Sequence, residues 1–128
     1  MSATDLAWLA GIIDGEGCVK IRHTYHMNGE IRQRHTPSCE IVVGMTHRST
    51  IERCREIAGC GSNIRQEYKN RKVVCFFWGV YGQNARDLAR KLHPYSITKK
   101  AKLEEVMSYD TGSFYTTYDG GVEHDMAK

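Results

Sequence analysis

The chain has 128 residues, 41% of them hydrophobic, a formal net charge of +3, and five cysteines with no C-x-x-C pair. The length suits one domain, and the odd cysteine count argues for reduced thiols packed as small hydrophobes rather than a disulfide framework or a zinc ribbon. No apolar run approaches the roughly 18 to 20 residues of a membrane helix, and Met1-Ser2-Ala3-Thr4-Asp5 lacks the basic and apolar blocks of a secretory signal. An intracellular, non-secreted protein is therefore expected.

Charge is spread unevenly. Residues 18 to 72 hold eleven Lys/Arg against five Asp/Glu, whereas residues 108 to 128 hold one against four. A basic central stretch suits a polyanion partner, or it is an ordinary solvated surface.

Ser2 or Thr4 starts a helix as N-cap, with Asp5 near the positive end of its dipole. Leu6, Leu9 and Ile13 then share one face. Ala7, Gly11 and Gly15 form a second stripe with almost no side chain. Glycine costs about 1 kcal/mol in a helix interior, so this stripe implies close approach of another backbone, or else a helix that frays. From Cys18 the period becomes two, with Val19 and Ile21 alternating with Lys20, Arg22, Thr24 and His26. Asn28-Gly29 marks a turn. The next strand, 38 to 45, puts Cys39, Ile41, Val43 and Met45 on one face and Ser38, Glu40, Val42 and Gly44 on the other. The stretch from His26 to Pro37 reads as a long polar linker with a mobile tip.

A helix starts within Thr46 to Thr50, runs to about Ala58 and stops at Gly59 and Gly61. Two more strands, 63 to 68 and 72 to 80, are joined at Lys69-Asn70-Arg71. Gly82 breaks the pattern, a helix covers 83 to 92, Pro94 ends it, and a last helix covers 98 to 108. The tail, 109 to 128, has no period and is expected to be flexible. The order α-β-β-α-β-β-α-α predicts an α+β domain over residues 1 to 108, two hairpins forming one antiparallel sheet with helices on one face. The open face would carry Lys20, Arg22, Thr24 and His26 on one strand, Ser38, Glu40 and Val42 on the next, and Asn63, Arg65, Glu67 and Lys69 on the third. A solvent-facing sheet has the same pattern, but a β-ribbon also fits the major groove, where base edges carry the full donor and acceptor code.

Leu9-Ala10-Gly11-Ile12-Ile13-Asp14-Gly15-Glu16-Gly17 closely resembles the motif of the LAGLIDADG homing endonucleases. The resemblance implies the αββαββα fold of that family, with the sheet forming a DNA-binding saddle. It implies that the motif helices of two subunits pack together, so that Ala7, Trp8, Gly11, Ile12 and Gly15 form a dimer interface. It implies that Glu16, just past the helix end, binds the catalytic Mg2+ (Mn2+ or Ca2+ as alternative occupants), with the carbonyl of Gly15 as a further ligand. Glu16 stands where the motif has Asp. Asp14 is implied to be a helix-end and interface residue.

The resemblance extends to Thr46-His47-Arg48-Ser49, where single-motif members hold a water-ordering polar residue, here His47. Ile51 stands where members often carry a basic residue, with Arg48 and Arg53 nearby. Leu92-His93-Pro94-Tyr95-Ser96-Ile97-Thr98-Lys99-Lys100 resembles the family's Leu-x-Pro-Phe/Tyr-x-x-x-Lys segment, whose lysine lies in the active site; Lys99 matches, with Lys100 as second choice. One motif implies a homodimer cutting a long pseudo-palindromic double-stranded DNA site with 3′ overhangs. The alternatives are a maturase acting on its own intron RNA, a non-cutting DNA binder on the same scaffold, or an interaction domain that needs no nucleic acid. The target sequence, the host and the number of metals are not legible in the chain.

Overall fold

Local chemistry at the first helix explains its length. In the computed structural model the backbone is described for residues 1–27, 33–109, 116–119 and 122–125, and side chains for residues 1–22 and 37–109. Helix α1 spans Ala3–Glu16, and Ser2 is its N-cap, accepting from the Asp5 N–H at 3.0 Å. The helix carries Glu16 as its last residue rather than leaving it outside. Gly17 ends it, donating its N–H to the Ile13 carbonyl. A Cβ on Gly17 would stand 2.7 Å from that carbonyl oxygen, so this exit from helix to strand requires glycine.

Strands β1 (Gly17–Met27) and β2 (Gln33–Met45) form a long antiparallel hairpin, in register from Gly17 opposite Val43 to Met27 opposite Gln33. The expected linker from His26 to Pro37 is therefore mostly strand. Its polar composition concealed this, as did Pro37. Pro37 is tolerated because it lies between the part of β2 that pairs β4 and the part that pairs β5, where β2 has β1 alone as neighbour among the described residues. The tip of the hairpin lies outside the described residues.

Helix α2 (Arg48–Ala58) ends at Gly59 in the left-handed conformation, φ 69°. Strands β3 (Arg65–Tyr68) and β4 (Val74–Tyr81) follow, each starting two residues later than the composition suggests. Helix α3 (Gly82–Leu92), a single 3-10 turn (His93–Tyr95) and α4 (Lys100–Ser108) complete the domain. The expected start of α4 at Thr98 moves to Lys100 because Thr98 and Lys99 bond back to α1. The tail, expected to lack regular structure, carries β5 (Thr116–Asp119) and β6 (Val122–Asp125), with β5 pairing Gln33–His35 of β2. The β-branched and aromatic residues of Thr116-Thr117-Tyr118 suit a strand.

The antiparallel order is β3-β4-β2-β1, with β5 and β6 joining the β4 side of β2 at its other end. All four helices cover one face. Leu9 and Ile13 of α1, Ile51 and Cys54 of α2, Leu88 and Leu92 of α3, and Leu103 and Val106 of α4 meet Val19, Ile41, Val43, Trp78 and Val80 of the sheet in one core. The alternation expected for β1 and β2 thus faces the core as predicted. The loop before β3 is pinned to β4, since Trp78 donates its indole N–H to the Cys60 carbonyl at 3.0 Å and Gly79 donates to Ser62 Oγ at 3.1 Å. No helix among the described residues is long and apolar enough to cross a membrane.

Candidate active site

Two carboxylates close α1, and the structure treats them differently. Both sit at the negative end of the helix dipole, and the last turn holds no basic residue. Asp14 is relieved by the segment before α4. Its Oδ1 accepts from Ser96 Oγ at 2.5 Å and from the Lys99 N–H at 3.1 Å, and its Oδ2 accepts from the Ile97 N–H at 2.8 Å. Thr98 Oγ1 donates to the Asp14 carbonyl at 2.9 Å. Partial burial alone would push the Asp14 carboxyl up, but the bonds from Ser96, Ile97, Lys99 and Thr98 hold it below its ordinary value. Glu16 is exposed and makes no hydrogen bond or ion pair among the described residues.

The Asp14 cluster determines where Lys99 sits. Lys99 is the N-cap residue of α4, half-buried, its N–H on Asp14 and its carbonyl accepting from the Leu103 N–H at 2.9 Å. Its ammonium has no partner among the described residues. An unpaired cation at the positive end of a helix favours an anion nearby. His47 is the N-cap residue of α2, and its Nδ1 lies 2.7 Å from Thr50 Oγ1. That bond orients the ring and leaves Nε2 facing outward without a partner among the described residues. Glu16 precedes Gly17, which is opposite Val43 near the end of β2, His47 follows β2 as the N-cap of α2, and Lys99 is tied to Asp14 of α1, so all three belong to the end of the sheet where α1 enters β1.

Ile51 is fully buried in the core, so it faces away from this end and cannot be exchanged for a basic side chain without loss of packing. Arg48 and Arg53 are both engaged. Arg48 bonds Glu52 at 2.8 Å and stacks on Phe76, and Arg53 bonds Glu56 at 2.7 Å and Asp5 at 3.1 Å.

A hard divalent cation takes carboxylate, carbonyl, water and phosphate oxygens. Glu16 is a free carboxylate of that kind, and the carbonyl of Gly15 lies in the last helical turn. Among the described residues no group of three or more His, Cys, Asp or Glu could enclose a metal by itself.

The open face of the sheet carries the expected cations with one constraint. Glu40 is buried between Lys20, 3.6 Å away, and Arg22, 4.0 Å away. Ser38 and Val42 are half-buried on the same face. Thr24 and His26 belong to β1, opposite Thr36 and Arg34, but their side chains lie outside the described part. Arg65 and Glu67 stand on β3, whereas Asn63 precedes the strand, bonded to Arg55 at 3.2 Å, and Lys69 begins the turn after it. Periodicity reasoning missed the contribution of β4. Phe77 lies over Gly44, where a Cβ would be 2.2 Å from the ring, and the Tyr81 ring folds over Gly79. The run Val74–Tyr81 is apolar on both faces, so its alternation carried no polarity contrast.

On the outer side of α1, Ala7, Gly11 and Gly15 are exposed, Trp8 is 38% exposed and Ile12 half-buried. A Cβ added at Gly11 or Gly15 would meet no atom within 4 Å. Nothing among the described residues explains why these two positions are glycine.

No protein-family model matches the sequence, and no curated protein is significantly similar to it. Solved structures do match. The homing endonuclease I-CvuI in complex with the I-CreI target in the presence of 2 mM Mg superposes with a TM-score of 0.69 at 21% identity, covering 81% of this chain and 64% of that one. The archaeal intron-encoded homing endonuclease I-Vdi141I, complexed with DNA, gives 0.61 at 16% identity, covering 80% and 64%. The group I intron-encoded I-CeuI, complexed with DNA, gives 0.56 at 16% identity, covering 84% and 54%. The chain has the fold of these homing endonucleases and spans just under two thirds of the length of the first two.

Proposed function

We propose that the chain is a LAGLIDADG homing endonuclease, working inside the cell as a homodimer that makes a metal-dependent, staggered double-strand cut in a long pseudo-palindromic DNA site. One observation carries this. Glu16, the acidic residue of the motif, ends α1 where the chain enters β1, exposed and with no partner among the described residues of its own chain. Asp14 has its charge compensated by three donors, whereas Glu16 has no such compensation at an electrostatically poor position and wants a cation. The fold shared with homing endonucleases, several of them described as DNA complexes, supports the same conclusion.

Glu16 and the Gly15 carbonyl would hold the ion. Mg2+ is the expected occupant, with Mn2+ or Ca2+ able to take its place. When bound, the ion supplies charge neutralisation on the scissile phosphate and a more acidic water. The residues of the chain do the rest. Lys99 offers an unpaired ammonium to the charge that develops on the phosphate. His47, oriented by Thr50, offers Nε2 to a water. Asp14 keeps Lys99 in place. The second set of oxygen ligands would come from a second copy. Close packing of two α1 helices through Ala7, Gly11 and Gly15, flanked by Trp8 and Ile12, accounts for glycines that no described neighbour within the chain requires. A two-fold axis there brings two Glu16 carboxylates near one another, one for each DNA strand.

The test is cleavage of a randomised or host-derived duplex library in Mg2+, with the cut ends sequenced. One long site with staggered ends is expected, and Glu16→Gln should still bind it while cutting is lost. A wild-type protein that binds its selected site but never cuts it in Mg2+ or Mn2+ overturns the proposal.

A further inference from the structure

Arg65 is held more tightly than a surface arginine needs to be. Gly44 of β2, Phe77 of β4 and Arg65 of β3 occupy one rung across three neighbouring strands. The Phe77 ring lies on Gly44, and any side chain there would collide with it. Arg65 stacks on the same ring, its Cζ 5.2 Å from the centroid. From the side, its Nε–H donates to Glu67 Oε2 at 2.8 Å. The ring sets the plane of the guanidinium and Glu67 sets its rotation. Both terminal nitrogens are without a partner among the described residues on the open face, where the Arg65 side chain is 58% exposed.

This arrangement suits one task better than another. A phosphate clamp relies on net positive charge, which Glu67 largely cancels. Bidentate recognition of a planar acceptor pair relies on a fixed fork, which Phe77 and Glu67 provide. In the major groove, guanine alone presents two acceptors side by side, O6 and N7. We propose that Arg65 is a specificity-determining residue that reads one guanine in each half-site, with Phe77, Gly44 and Glu67 as its positioning residues. The inference rests on the proposed DNA endonuclease function.

Wild type, Arg65→Lys and Phe77→Leu are each used to select bound duplexes from one randomised pool, and the selected base frequencies are compared. Wild type should prefer guanine at one position of the half-site. Arg65→Lys keeps the charge but not the fork, and should reduce that preference by roughly 5- to 150-fold while other positions hold. Phe77→Leu should reduce it by a smaller factor at the same position. An equal loss of binding across all sequences in Arg65→Lys would mean a phosphate contact and overturn the inference, leaving the endonuclease intact. An unchanged base profile would do the same. A wild-type protein that enriches no sequence at all would overturn both.

Discussion

Removing the Asp14 carboxylate should loosen the end of the molecule that carries Lys99. The group accepts three side-chain or backbone donors, from Ser96, Ile97 and Lys99. Hydrogen bonds to a charged group contribute about 1.5–3 kcal/mol when well shielded. Here Ile97 is exposed and Lys99 half-buried, so water replaces part of what their N–H groups lose. Truncation also removes a negative charge from the negative end of α1, a relief of about 0.3–1 kcal/mol. The net expectation for Asp14→Ala is a loss of about 2–4 kcal/mol, which for a domain of this size lowers Tm by about 8 °C or more. Asp14→Asn keeps one acceptor oxygen and turns an amide N–H against that of Ile97, so about half the loss is expected. The effect has a pH signature. Because the folded-state pKa of Asp14 lies below its ordinary value of 3.8, its contribution is complete above that value and fades as pH falls through the lower folded one. Urea unfolding of the DNA-free protein at one fixed concentration, followed by tryptophan fluorescence from pH 7 downward, measures both quantities. If Asp14→Ala unfolds within about 0.5 kcal/mol of wild type, or the gap between them is as wide in acid as at neutral pH, the assignment of Asp14 as the tie between α1 and α4 is wrong.

Three further outcomes follow from the packing. Ile51 is fully buried, so an unpaired guanidinium in Ile51→Arg should destabilise by about 3 kcal/mol or more, visible as a lowered melting temperature. On the proposed homodimer, Gly11→Leu adds a side chain at a site with no neighbour within 4 Å among the described residues, so the chain should fold but sediment as a monomer and melt lower for want of its partner; a persistent dimer would place the interface elsewhere. Burial pushes the Cys54 thiol up to about 11, so alkylation of the native protein near pH 8 should modify exposed Cys18 and spare Cys54 until denaturant is added. Equal labelling rates by peptide mass spectrometry would contradict the packing of α2.

Several features were legible because they are written in short-range chemistry. The change of period at Cys18, the glycine stops after Ala58 and the proline at 94 each act within a few residues of themselves. The strands of the first hairpin were recognised but cut short, since polar residues near Asn28 and Pro37 look the same in a linker and in a two-sided strand. Glu40 was assigned to the open face correctly, but its burial between Lys20 and Arg22 depends on cross-strand register, which alternation does not reveal.

By itself the sequence determined the element order, the side of β1 and β2 that faces the core, and a helix with one buried face and one glycine stripe. These follow from repeating patterns of side-chain polarity and size. Only the tertiary structure decided the rest. Asp14 meets Ser96 across 82 positions of chain, Ile51 turns out to be core, and Phe77 finds its place because Gly44 on another strand leaves room. These residues act through neighbours distant in sequence, and no local pattern encodes which distant residue will be opposite. The same holds for Glu16: its type was plain in the motif, while its lack of a compensating donor among the described residues, unlike Asp14 two residues earlier, came from the folded chain.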